Sequence, residues 1–260
     1  MRSSTVIIIL FYFIITSCSK ESIIPDLEGN LVGYVYTFNE FAEVQEDHSG
    51  VVVTTIGQNR YTAITDKRGR YEFRKLPAGI YALSFEKAGY GTMKYWGVRH
   101  LGGTATVFGF TFSSSEYSRA VFLYRFPKTK ILDLSVANDS LYAVFDLGDR
   151  QPYWMNLIVY FSDQPGFSAD NAQQRVTRAL LSENGMYKCV LVRNGAPAIE
   201  KGKQTYFKAS IYTSTGGINI PEMGNRSISG INTYFDLYLK KTIYPSAGDV
   251  SSEYSFILPE

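Results

Sequence analysis

The segment of residues 65–90, TDKRGRYEFRKLPAGIYALSFEKAGY, constrains the fold more than any other part of the chain. Apolar and polar residues alternate over residues 70–76 and again over 80–86, which is the period of a β-strand that is buried on one face. Asp66 begins and Gly69 ends a DKRG turn with the composition of a hairpin connection, and Pro and Gly separate the two runs. The segment therefore predicts strands whose aromatic residues fill a core.

Basic residues alternate with the aromatic ones in this segment, which raises the question of a cationic binding site. Because successive residues of a strand face opposite ways, the basic side chains are expected on the solvent side of a half-buried sheet. Over the whole chain, 26 basic and 24 acidic residues leave a formal net charge of +2. A dedicated nucleic-acid binder has a strongly basic face, so nucleic acid is not an expected partner. The basic residues concerned are Lys67, Arg68, Arg70, Arg74 and Lys75.

Short strands and turns surround this segment, and several glycines and aromatics stand at motif positions. These are Gly33-x-Val35, Gly50-Val51-x-Val53, Thr65-Asp66 with Gly69-x-Tyr71-x-Phe73, Leu76-Pro77-x-Gly79-x-Tyr81-x-Leu83, and Gly89-Tyr90. The pattern resembles the carboxypeptidase regulatory-like domain, a transthyretin-like β-sandwich, over residues 27–127. The resemblance implies a scaffold and no peptidase activity, because the zinc-binding catalytic domain of metallocarboxypeptidases is a separate unit and this chain has only His48 and His100.

Strand-like segments recur after PKTK at residues 127–130, which predicts a second β-sandwich over residues 128–260. The segment EKGKQTYFKASIYTSTGG resembles the F strand of fibronectin type III domains, with Tyr206 as the candidate for a tyrosine corner. The second domain is thus expected to be fibronectin type III-like or immunoglobulin-like. TYFDLYLKK is expected to be one of its strands. The spacing of Val176, Leu180 and Leu181 is compatible with one or two helical turns.

The first residues have the pattern of an export signal. The apolar run from Val6 to Ile15 is too short to span a bilayer and suits a signal peptide. Ile15-Thr16-Ser17-Cys18 resembles the bacterial lipobox, which implies cleavage of residues 1–17, acylation of Cys18 and a tether over residues 18–26. An ordinary secretory signal with an incidental cysteine is the alternative. An outer-membrane lipoprotein is expected, and periplasmic and cell-surface placement both stay open.

Three other groups of residues are candidates for sites. With Cys18 acylated only Cys189 remains, and its place on an apolar strand face predicts a core thiol with no disulfide. The acidic loop around His48 lacks the alternating ligands of a calcium loop, so a solvated loop is expected and no metal or cofactor is predicted. Tyr95-Trp96 and Tyr153-Trp154 are adjacent aromatic pairs. Core packing is expected for part of each pair, and Trp96, Tyr95 and Trp154 are the candidates for contact with a glycan or a partner.

The sequence thus predicts an all-β protein, with two consecutive β-sandwich domains behind a cleaved lipoprotein signal peptide. No catalytic arrangement of side chains emerges from it. The expected function is that of a non-catalytic, envelope-anchored binding or scaffold module for a protein or glycan partner. The alternative is a carbohydrate-active or hydrolytic accessory protein with a cryptic site in the second domain, formed by carboxylates that only the fold brings together.

Overall fold

The computed structural model describes residues 27–103, 106–108, 121–152, 154–183, 186–191, 200–213, 218–220, 226–228 and 233–258. The described part of the chain contains β-strands and no helices, as expected for an all-β sandwich fold. The first half, residues 27–127, contains β1 (Glu28–Phe38), β2 (Val52–Ile56), β3 (Thr62–Ile64), β4 (Arg70–Pro77), β5 (Gly79–Glu86), β6 (Met93–His100), β7 (Thr106–Phe108) and β8 (Val121–Tyr124).

Two sheets of the first half enclose one core. The first sheet has the order β4-β1-β7, with β8 also paired to β1, and the second has the order β3-β2-β5-β6. Leu31 and Tyr71 from the first sheet meet Val53 and Phe85 from the second in this core. The predicted alternation of β4 is confirmed, since Tyr71 and Phe73 are buried while Arg74 on the other face is exposed.

The DKRG turn connects two sheets, so its interpretation as a hairpin connection is wrong. It joins β3 of the second sheet to β4 of the first. The Asp66 carboxylate accepts hydrogen bonds from the N–H groups of Arg68 and Arg70, at 2.9 and 3.0 Å. Gly69 has a φ of +80° and its carbonyl accepts a 2.9 Å hydrogen bond from the N–H of Val35 in β1. That bond docks the turn on the first sheet, which explains why the chain changes sheets here.

Strand β1 is paired along both of its edges. It pairs with β4 in antiparallel fashion and with both β7 and β8 in parallel. The sandwich is therefore not purely antiparallel, because β7 and β8 run in the same direction as β1. Tyr36 and Phe38 also pack with Phe122 and Tyr124 on the face turned away from the main core.

The second half, residues 128–260, builds one large sheet that bends around its own core. The sheet has eight strands in the order β19-β14-β11-β12-β13-β10-β9, with β20 also paired to β14. Edge strand β9 approaches β14 and β20, and this approach closes the sheet over the core. Its strands are β9 (Lys130–Ala137), β10 (Ser140–Asp146), β11 (Trp154–Ser162), β12 (Gln174–Glu183), β13 (Met186–Val190), β14 (Gln204–Tyr212), β19 (Ala247–Val250) and β20 (Tyr254–Ile257).

Four further strands form two small hairpins outside this sheet. They are β15 (Ile218–Ile220) with β16 (Arg226–Ile228), and β17 (Tyr234–Asp236) with β18 (Lys241–Ile243). TYFDLYLKK is therefore a hairpin, and the prediction of a single strand is wrong. The reason lies in Asp236, whose carboxylate accepts the N–H groups of Tyr238 and Leu239 at 2.9 and 3.0 Å and turns the chain.

The suggested helical turns over residues 171–184 are also wrong. Most of that segment is strand β12, paired with β11 and β13. Val176 and Leu180 are four residues apart, and this even spacing places them on one side of a strand as well as of a helix. Leu180 is fully buried while Leu181 is exposed, as strand alternation requires.

Tyr206, the candidate for a tyrosine corner, lies on β14. Its side chain packs with Tyr160 in a small cluster separate from the main core of the second half, while Phe207 enters that main core.

Candidate functional site

The β17–β18 hairpin belongs to the second half of the sequence but packs on the first half. Tyr234 contacts the core of the first half, and strand β17 packs against β6. The outward face of β6 presents Lys94 and Trp96, because Tyr95 between them points into the core. Hairpin and strand together form the site with the strongest indication of a binding role.

An ion pair with a buried carboxylate holds the hairpin in place. The ammonium nitrogen of Lys94 lies 3.2 Å from the carboxylate of Asp236, whose side chain is only 2% exposed. Hydrogen bonds from the N–H of Leu239, from Lys94 and from the N–H of Tyr238 lower the pKa of the Asp236 carboxyl, against the opposing effect of burial. Asp236 thus stays ionised, and it fixes both the turn and its attachment to β6.

The ring of Tyr238 covers Trp96. The two ring centroids lie 5.3 Å apart at an interplanar angle of 69°, which is an edge-to-face contact. The indole N–H of Trp96 is buried and has no hydrogen-bond partner among the described residues. Trp96 itself is half-buried, so Tyr238 is the more accessible ring of the pair.

Four apolar side chains around the turn of the hairpin point into solvent. We call them the apolar tip. They are Phe235, Leu237, Tyr238 and Leu239, with exposed fractions of 51%, 56%, 75% and 60%. Clustered exposed apolar groups on an otherwise well-ordered turn are a common mark of an interaction surface. Sequence reasoning missed the tip because it assigned these residues to a strand. The signal was Asp236, a turn-forming residue in the middle of an apolar alternation.

The predicted contact residues have three different positions. Trp96 is at the site described above. Tyr95 is 8% exposed and belongs to the core of the first half, so it is not available to a partner. Trp154 begins β11, where its backbone pairs with Leu181. This strand belongs to the large sheet of the second half, whereas β6 belongs to the second sheet of the first half. Cys18 lies outside the described residues.

The acidic loop after β1 joins the two halves of the chain. The carboxylate of Glu40 accepts the backbone N–H groups of Lys128 and Thr129 at 2.5 and 3.0 Å, and the Thr129 hydroxyl at 3.2 Å. Arg150 pairs with Glu43 at 2.9 Å, and hydrogen bonds from Arg150 and Asn39 lower the pKa of that carboxyl. The sequence interpretation as a solvated loop is therefore incomplete, because it missed contacts between residues far apart in the chain.

Metal ligands and nucleophiles do not converge in the described part of the chain. No group of three His, Cys, Asp or Glu side chains there is able to hold a metal ion. His48 is buried, and its Nδ1 accepts the N–H of Thr37 at 3.1 Å. Burial raises the pKa of the Cys189 thiol to about 11, despite the nearby Arg178, so that thiol is unreactive at neutral pH. A cavity between the two halves, beside Glu40 and Tyr212, has a volume of about 20 Å³ and accommodates about one water molecule.

The basic residues of the opening segment do not converge on one site. Arg70 donates to the carboxylate of Glu72 at 3.2 Å, and Arg74 lies 3.8 Å from the same carboxylate. Lys67, Arg68 and Lys75 are exposed.

In the described ranges, no helix is long and apolar enough to cross a membrane.

Comparison with known proteins gives distant structural likenesses. No protein-family model matches the chain, and no curated protein matches it. A candidate carbohydrate-binding protein from Bacteroides uniformis is 10% identical, with a TM-score of 0.26, over 90% of this chain and 100% of that one. A DUF3823 family protein from Bacteroides ovatus is 11% identical, with a TM-score of 0.27, over 89% and 99%.

A third likeness covers part of each chain. It is to an interface mutant of a type II cohesin–X-dockerin complex from Acetivibrio cellulolyticus, 18% identical with a TM-score of 0.27, and it spans 37% of this chain and 58% of that one. At TM-scores this low, the likenesses do not indicate what this chain binds.

Proposed function

We propose that the protein is a non-catalytic binding module of the bacterial envelope, anchored through Cys18, which holds a partner protein at its apolar tip. The single observation that carries the binding role is the exposure of Phe235, Leu237, Tyr238 and Leu239 on one firmly held turn. Burial of such a cluster against a partner removes apolar surface from water and so favours association.

The chemistry of the tip favours a protein over a glycan. Three of its four side chains are aliphatic or phenyl groups without hydrogen-bonding atoms, and a sugar needs polar partners for its hydroxyl groups. The edge-on packing of Tyr238 on Trp96 also leaves no flat pair of aromatic faces on which a sugar ring can stack. An apolar centre containing aromatic residues is typical of a protein interface.

The prearranged geometry of the tip supports the same role. The two hydrogen bonds to Asp236 and its ion pair with Lys94 fix the turn before a partner arrives. Binding to a preformed turn loses less conformational freedom than binding to a mobile loop. The tip is therefore suited to specific recognition.

Site-specific crosslinking in cells tests the proposal. A photoreactive amino acid at Leu239 is expected to capture one envelope protein, whereas the same group at Leu132, which is exposed to a similar degree at 59%, captures none. The double variant Leu237→Asp, Leu239→Asp should abolish capture from a probe at Phe235 and leave the melting temperature unchanged. If the wild type binds to a glycan array and no protein is crosslinked, the partner is a sugar and the proposal of a protein partner is wrong.

A further inference from the structure

The end of the first half from which the tether leaves has an apolar and basic surface. Ile80 is 72% exposed and Leu101 is 77% exposed, and Leu27, the first described residue, is 48% exposed. The chain folds them together. The carbonyl of Leu27 accepts the N–H of Ala78, two residues before Ile80, and the backbone of Leu27 closely approaches Gly102, next to Leu101.

Exposed cations surround these apolar residues. Arg99 is paired with Ile80 across strands β5 and β6, so their side chains share the outer face of that sheet. Lys75 lies beside the start of β1, where its N–H donates to Asn30 at 3.2 Å. Arg60 lies in the loop between β2 and β3, at the same end of the sheet as Ile80, because the last residue of β2 pairs with Ala82. Glu28 is an exposed carboxylate at this end, and among the described residues named here the three cations outnumber it.

We propose that this tether-proximal end, defined by Leu27, Ile80 and Leu101 with Arg60, Lys75 and Arg99, rests on the phospholipid surface to which the protein is anchored. The inference depends on the proposed acylation of Cys18. From Cys18 to Leu27 the chain spans at most about 30 Å even when fully extended. The end therefore stays within that distance of the anchor, so that its cations are able to meet lipid phosphates and its apolar side chains to enter the interface.

Contact of this end with the bilayer would set the orientation of the protein on the membrane. A protein attached to a membrane at one point alone is free to reorient, whereas a second contact with the bilayer fixes its direction. Three apolar side chains and a small excess of positive charge supply weak contacts. Such contacts suffice here because the anchor keeps the surface at a high local concentration near the membrane.

Fluorescence quenching in vesicles tests the proposal. The full lipidated protein, carrying Cys189→Ala, is inserted into vesicles of phosphatidylethanolamine and phosphatidylglycerol whose headgroups bear nitroxide quenchers. One preparation carries a fluorophore at Gln58→Cys, in the loop at the tether-proximal end. The matched control carries the fluorophore at Lys67→Cys, in the exposed turn before β4. At the rise of a strand, the length of β4 places this turn about 25 Å from the tether-proximal end.

We expect strong quenching at position 58 and little at position 67. The double variant Ile80→Glu, Leu101→Glu should reduce quenching at position 58 to the level at position 67. Equal quenching at both positions, or no effect of the double variant, would overturn the inference while leaving the anchor intact. Failure of the protein to float with the vesicles would contradict the acylation of Cys18, and the inference would fall with it.

Discussion

The ammonium group of Lys94 and the carboxylate of Asp236 lie 3.2 Å apart, although the two residues belong to opposite halves of the sequence. Asp236 is buried and Lys94 is half-buried, and the pair attaches the hairpin that carries the apolar tip to strand β6. The position of the tip therefore depends on a charge that acid is able to remove.

Acid should release the hairpin. Because the pKa of Asp236 is lowered in the folded protein, its stabilising effect is present above the carboxyl's unfolded value of about 3.9 and is lost as the pH falls through the folded value. We expect a change in Trp96 fluorescence below about pH 4. Asp236→Asn should show the released signal already at pH 7.

The hairpin offers its own control. Lys241 pairs with Asp170 at 3.0 Å, but both side chains are well exposed. Exposed ion pairs contribute little to stability, so Lys241→Gln should leave the fluorescence and its pH profile unchanged. An acid transition in Asp236→Asn identical to that of the wild type would contradict the assignment to this pair.

Glu40 should control the stiffness of the junction between the two halves. Its carboxylate accepts hydrogen bonds from Lys128 and Thr129, and Glu40→Ala leaves those N–H groups without a partner. We expect trypsin to cleave after Lys128 or Lys130 several-fold faster in this variant. Glu46→Ala, an exposed glutamate of the same loop, is the control. Equal cleavage rates in both variants would mean that Glu40 does not hold the junction.

Gly69 and Gly50 allow two effects of a glycine to be separated. Both have a positive φ, but a Cβ on Gly69 would collide with the carbonyl of Val35, whereas a Cβ on Gly50 meets nothing within 4 Å. Gly50→Ala is expected to cost about 1 kcal/mol of unfolding free energy from its backbone conformation alone. Gly69→Ala should cost clearly more in urea denaturation. Similar losses in the two variants would argue against the close approach to β1.

Tyr71 should tolerate phenylalanine but not alanine. Its hydroxyl is buried and has no hydrogen-bond partner among the described residues, and burial raises its pKa. Tyr71→Phe removes an unsatisfied polar atom and is expected to be neutral or to stabilise by about 1 kcal/mol. Tyr71→Ala should cost about 3–5 kcal/mol because it leaves a cavity. Thermal unfolding of both variants measures the difference, and equal melting temperatures would place Tyr71 outside the core.

Cys18 provides the test of anchoring. Cys18→Ala should release the protein from the membrane fraction or block its maturation, because the variant has no thiol to acylate. The measurement is the distribution of the protein between membrane and soluble fractions, together with the mass of its N-terminal peptide. Cys189→Ala is the matched cysteine control and should fractionate as the wild type does. Unchanged membrane retention of Cys18→Ala would refute the lipoprotein assignment.

The sequence predicts local structure well and contacts between distant residues poorly. The strands around Tyr71 and Phe85 follow from alternation, and the Asp66–Gly69 turn follows from its composition. That this turn joins two sheets depends on a hydrogen bond with Val35, which no local pattern encodes. Segments with apolar residues four apart, such as Val176 and Leu180, fit a helix and a strand equally, and only pairing with neighbouring strands decides between them.

The candidate site shows the same division. Trp96 was a candidate from its residue type alone, whereas Tyr238 and Asp236 acquire their roles only because the hairpin folds back on β6. An apolar alternation predicts a buried strand, and here it forms an exposed turn. The tip was therefore hidden by the same rule that located the core strands correctly.

The parallel pairing of β1 with β8 has a consequence for how the protein is made. Tyr36 is synthesised early, but its partner Phe122 comes only at the end of the first half. Until then one edge of a long, largely apolar strand lacks its final neighbour and is open to pairing with other chains. Such non-local closure is slow compared with hairpin formation. This edge of β1 is thus completed only when the chain has been made through β8.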